Sequence, residues 1–100
     1  MEGHSDDDKI AVQRLHNIIN SCSQQISSLR MQLSETDSAL SEISKERDIY
    51  KIIGNIMVSS DYSTVKKDLE DRKELILERI GLLEAEKKKA EKELSELSNK

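Results

Sequence analysis

From Val12 to Ile43 the apolar residues step by three and four without a miss: Val12, Leu15, Ile19, Cys22, Ile26, Leu29, Leu33, Thr36, Leu40 and Ile43, with Thr36 the one polar exception. That spacing commits the segment to an α-helix with a heptad seam, and the seam has to be covered by another helix. A second seam lies downstream at Leu69, Lys73, Ile76, Ile80, Leu83, Lys87, Ala90, Leu94 and Leu97, with lysines at two core positions. Asp61 stands ahead of it, where a carboxylate can cap the first turn.

Little else could hold this chain together. One hundred residues with 35% hydrophobic side chains and two aromatics cannot build a substantial globular core. Charged residues at 36%, no Pro and three Gly are the mix of long helices, whose stability comes from helix–helix contact.

The two seams fit one another. If the chain folds back between residues 48 and 61, residue x of the first helix faces a residue near 109 − x of the second. Val12 then meets Leu97, Leu15 meets Leu94, Ile19 meets Ala90, Ile26 meets Leu83, Leu29 meets Ile80, Leu33 meets Ile76 and Leu40 meets Leu69. The polar interruptions coincide as well: Thr36 faces Lys73 and Cys22 faces Lys87, so each lysine stem lies along the seam while its head reaches water. The expected fold is mostly α: a long antiparallel two-helix coiled coil within one chain, joined by a β-hairpin that assembles with other subunits. Residues 1–100 form a single domain, with a first helix over about 7–47, the hairpin over 49–60 and a second helix over 62–98.

The connecting segment "IYKIIGNIMV" is rich in β-branched residues, and Gly54-Asn55 sits between two apolar runs where a two-residue turn is permitted. Tyr50 and Ile52 share one face of the first strand, and Ile49 and Ile53 the other. Ile56 and Val58 oppose Met57 across the second strand. A two-stranded ribbon with apolar faces and open edges is marginal alone and invites pairing with other chains. The assembly element is therefore Ile49, Tyr50, Ile52, Ile53, Gly54, Ile56, Met57 and Val58. A loop packed on its own helix ends is the alternative reading of the same residues.

At the far end of the rod the first helix carries more apolar surface than its partner covers. Ile10, Val12, Leu15 and Ile18, with Leu94 and Leu97 opposite, are candidates for binding exposed apolar segments of other proteins. Burial against another subunit, or fraying, would also account for the surplus. Residues 65–83 carry a leucine-rich stripe wider than one partner helix needs, which suits contact with a neighbouring subunit or ordinary exposed leucines.

Other chemistry is poorly supported. The net charge is −4, and Lys87-Lys88-Lys89 is interleaved with Glu84, Glu86, Glu91 and Glu93, which argues against nucleic acid. No uninterrupted apolar run exceeds three residues, as at Ile56–Val58, so no membrane span is expected. The amino-terminal "MEGHSDDDK" has no signal pattern, and the single Cys22 has no internal disulfide partner, which favours a reducing, cytoplasmic setting. His4 and His16 lack further ligands at zinc spacing, no phosphate-binding loop is present, and no base is placed to activate Cys22. Neither cofactor, metal nor enzymatic activity is expected.

Ile49-Tyr50-Lys51, Ile53-Gly54 and Ile56-Met57-Val58, a "YKxxGxxxV" pattern followed by "VKKDLEDRKELILERIGLLEAEKKKAEKELSEL", resemble the beta-type subunits of prefoldin. The likeness runs from about Leu33 to Leu97 and suits both archaeal prefoldin beta and the eukaryotic subunit 6. It implies a hetero-hexamer of alpha-type and beta-type subunits whose hairpins form a platform. It further implies an ATP-independent cytoplasmic chaperone whose coiled-coil tips bind unfolded client proteins and deliver them to a group II chaperonin. A structural or tethering coiled coil with one permanent partner is the competing reading, and the two-faced ribbon favours the first.

Overall fold

The computed structural model describes the backbone of residues 6–43, 49–53 and 56–99, and the side chains of residues 6–43 and 61–99. The elements run α1 (Asp6–Glu42), β1 (Ile49–Ile53), β2 (Ile56–Ser60) and α2 (Tyr62–Ser98). Each helix is 37 residues long. The stretch 43–47, over which the first helix was expected to continue, lies beyond the described residues after Ile43, whose N–H still donates to the Ala39 carbonyl at 3.2 Å.

Asp6, Asp7 and Asp8 occupy the first turn of α1, where negative charge complements the unpaired N–H groups and the helix dipole. At the start of α2 the Thr64 N–H donates to Asp61 Oδ1 at 2.8 Å, an N-cap that satisfies a backbone donor the helix itself leaves open. These bonds from Thr64 hold the Asp61 carboxyl below its ordinary value.

β1 and β2 pair antiparallel, with Ile49 opposite Ser60, Tyr50 opposite Ser59, Lys51 opposite Val58, Ile52 opposite Met57 and Ile53 opposite Ile56. The expected turn at Gly54-Asn55 lies outside the described residues.

The chain divides into two packed parts: Met1–Leu29 with Arg79–Lys100, and Arg30–Glu78. In the first, Leu15, Cys22 and Ile26 of α1 and Ile80, Leu83 and Ala90 of α2 are buried. Gln25 accepts a hydrogen bond from Arg79 Nη2 at 3.4 Å. Arg14, Leu15 and Ile18 share a hollow with Glu86, Ala90 and Glu93, so the two segments run antiparallel. In the second part, Thr36 and Ile76 are the buried side chains among the described residues.

The sequence seams are the buried lines. All ten expected positions from Val12 to Ile43 are buried or half-buried. In α2 the only side chains that are not exposed are Tyr62, Val65, Leu69, Lys73, Ile76, Ile80, Leu83, Lys87, Ala90, Leu94 and Leu97. Tyr62 and Val65 extend the expected seam backwards through two successive steps of four, at Val65, Leu69 and Lys73. Such an insertion in the heptad locally unwinds a left-handed supercoil. Leu75, Leu77 and Leu82 of α2, with Ile10 and Met31 of α1, stay outside the seam.

Neighbours Leu82 and Leu83 isolate what the seam contributes, being 66% and 3% exposed respectively. Leu83→Ala should lower unfolding stability by about 2–4 kcal/mol and Leu82→Ala by less than about 0.5. Urea titration followed by helicity measures both, and equal losses would refute the assigned face. A second prediction concerns Asp61. Because its folded pKa is depressed, its contribution is present above the unfolded value of about 3.9 and is lost as pH falls through the lower folded value. Asp61→Asn, which keeps a capping oxygen without the titration, should flatten the acid limb of helicity below about pH 4. An unchanged acid limb would show that the cap does not contribute.

Candidate functional site

The six residues expected at the tip all fall in the part formed by Met1–Leu29 and Arg79–Lys100. Their environments differ sharply. Ile10 is 66% exposed, Val12, Ile18, Leu94 and Leu97 are half-buried, and Leu15 is 3% exposed. With the helices paired, Leu15 is a floor rather than a contact surface. The difference follows from position: Leu15 lies in the seam, Ile18 stands one heptad position outside it, and Ile10 points away from the partner helix.

Two adjoining open hollows run along this side of the seam. One, of about 220 Å³, is lined by Arg14, Leu15 and Ile18 of α1 and by Glu86, Lys89, Ala90 and Glu93 of α2. The other, of about 290 Å³, is lined by Ala11, Arg14 and Leu15 with Glu93, Glu96 and Leu97. Ala90 is the physical reason for the first: it occupies a core position with a single methyl group, so the seam is shallow where a leucine would fill it. The sequence reading of the tip had Leu15, Ile18 and Leu97 of this lining but not Ala11, Ala90 or the charged rim. Arg14, Glu86 and Glu93 are recognisable from heptad positions that flank an antiparallel seam.

The rest of the seam is structural. Cys22 is a buried free thiol. Burial pushes its pKa up, the Glu86 carboxylate adds to this as a charge and as an acceptor, and the Lys87 ammonium partly offsets it. A thiol held in its neutral form is a poor nucleophile, so the arrangement suits packing rather than catalysis. The Thr36 hydroxyl donates to the Gln32 carbonyl at 2.8 Å, which satisfies within its own helix the one buried polar side chain among the described residues. Lys73 Nζ lies 2.8 Å from Asp37 Oδ1 on the facing helix. Asp37 went unrecognised in the sequence because it flanks the seam instead of belonging to it.

Among the described residues no group of three His, Cys, Asp or Glu side chains could hold a metal ion, and His16 is exposed. No described helix is long and apolar enough to cross a membrane. Of the expected assembly residues, Ile49, Tyr50, Ile52 and Ile53 lie on β1 and Ile56, Met57 and Val58 on β2, while Gly54 falls outside the described residues.

The sequence profile of the prefoldin subunit family matches residues 9–100. Prefoldin subunit beta of Saccharolobus islandicus is 36% identical over 77 residues, covering 74% of this chain and 61% of that protein. Prefoldin subunit beta of Thermococcus onnurineus is 32% identical over 80 residues, covering 77% and 69% respectively. The match thus spans about three fifths of the length of the Saccharolobus relative. Among solved structures, the crystal structure of the prefoldin beta subunit from Thermococcus strain KS-1 superimposes with a TM-score of 0.80 over 99% of this chain and 92% of that one. At 21% identity that likeness concerns the fold.

Proposed function

Because the chain belongs to the prefoldin subunit family, we propose that it is one subunit of an ATP-independent chaperone and not an enzyme. In this reading it joins alpha-type and beta-type prefoldin subunits in a cytoplasmic hetero-hexamer, binds non-native proteins at the tips of its coiled coil and delivers them to a group II chaperonin. The observation that carries the client-binding half is the placement of Ile10, Val12, Ile18, Leu94 and Leu97. Ile10 is exposed, Val12 and Leu94 are half-buried, and the half-buried Ile18 and Leu97 line the hollows that Leu15 and Ala90 floor. An apolar surface of that kind can cover a hydrophobic segment that a client has failed to bury, with no bond made or broken.

The assembly half rests on β1 and β2. Two strands of five residues are too few to be stable alone, and each has an outer edge of backbone donors and acceptors to offer another ribbon. In the proposed hexamer the ribbon of Ile49–Ile53 and Ile56–Ser60 is the piece that joins subunits.

The tip is tested by replacing Ile10 and Ile18 with serine, which spares the seam residues Val12 and Leu15. The double variant should keep its helicity and assembled mass while its suppression of aggregation of a chemically unfolded client falls several-fold. Unchanged suppression at equal assembled concentration would remove the tip from the mechanism.

A further inference from the structure

Two lysines occupy seam positions that a coiled coil fills most stably with leucine or isoleucine. Both are half-buried, and each lies among particular neighbours on α1. In the part formed by Arg30–Glu78, Lys73 reaches Asp37 at 2.8 Å next to Thr36, which is 5% exposed. In the other part, the half-buried Lys87 follows Glu86, which shares a hollow with Ile18, and Cys22, one turn after Ile18 on α1, is 2% exposed. The small or polar α1 residue is what admits the lysine stem. Any larger apolar residue there would meet the charged end of the side chain.

We infer that Lys73 and Lys87 select the register of helix pairing, each being tolerated only against its own layer, Thr36 with Asp37 in one part and Cys22 in the other. Their effect is to exclude slipped pairings rather than to strengthen the native one. The Lys73–Asp37 pair is 40% and 48% exposed at its two side chains, a setting in which an ion pair adds little net stability. An ammonium pressed against apolar side chains without a partner, by contrast, is strongly unfavourable.

Seams that repeat every seven residues mate again after a slip of seven. Sliding α2 one way sets Lys87 on Leu29 and Lys73 on Ile43, and sliding it the other way sets Lys87 on Leu15 and Lys73 on Leu29. Leucine at both positions would make all three registers nearly equivalent. Polar residues inside a seam fix register at a cost in stability, and the two layers supply that discrimination twice.

The native thiol provides the test in the full chain. Cys22 faces residue 87 in the native register, residue 94 after a slip one way and residue 80 after a slip the other way. Leu94→Cys and Ile80→Cys are therefore separate reporters of the two slips, read as an intrachain disulfide formed under oxidised glutathione. With Lys73 and Lys87 present, neither reporter should form the bond. Adding Lys73→Leu and Lys87→Leu should raise the thermal midpoint and increase the disulfide yield at least about tenfold in one reporter or both. The half-buried Leu94 makes its reporter the less disruptive one, and circular dichroism confirms that each chain remains helical.

A leucine-bearing chain that stays helical without crosslinking in either reporter would overturn the inference, since the connection alone would then fix the register. So would ready crosslinking in the lysine-bearing chain, a fall in thermal midpoint on replacing the lysines, or loss of helicity in the leucine-bearing chain.

Discussion

The contact between two heptad seams is the constraint on which the rest of this molecule depends. With 35% hydrophobic residues and only two tyrosines for aromatics, the chain has no second way to remove apolar surface from water. The described side chains sort accordingly. Leu15, Cys22 and Ile26 close against Ile80, Leu83 and Ala90 in one part of the molecule, and Thr36 and Ile76 are the buried residues of the other. Because every unexposed side chain of α2 lies on this line, the helix has nothing else to spend on packing within its own chain.

What the seam does not absorb is what remains for other molecules. Ile10, Met31, Leu75, Leu77 and Leu82 are exposed, and hollows floored by Leu15 and Ala90 lie open beside the seam. These surfaces are apolar faces with a rim of mixed charge; the cysteine is buried away from them, and no cluster of metal ligands occurs among the described residues. In the proposed function these surfaces cover and release apolar segments of clients, as suits a subunit of the prefoldin family. The proposed division of labour places client capture at one end of the helical pair and assembly at the strands.

Much of the fold was legible because the heptad repeat is a direct imprint of the helix period, and it persists over ten positions from Val12 to Ile43 without a break. Asp61 was readable for a similar reason: a carboxylate directly before a periodic run has few better uses than a cap. What escaped the sequence depends on geometry that periodicity does not encode. Asp37 reaches Lys73 only because the facing helix brings the lysine beside it. Tyr62 and Val65 continue the α2 seam through steps of four, which break the heptad count that began at Leu69. In the candidate site, the six tip residues were recognised as apolar. Which of them line a surface and which form its floor depends on the pairing of the helices, and that pairing buries Leu15 while leaving Ile10 in solvent.

The central claim is that one chain folds back on itself and offers its strands, rather than its seam, to other subunits. Size-exclusion chromatography with light scattering on this chain mixed with an alpha-type prefoldin subunit tests it most directly. A stable complex of six chains is the predicted result. A mixture in which the two proteins elute separately, with this chain as a monomer or a lone dimer, would contradict it.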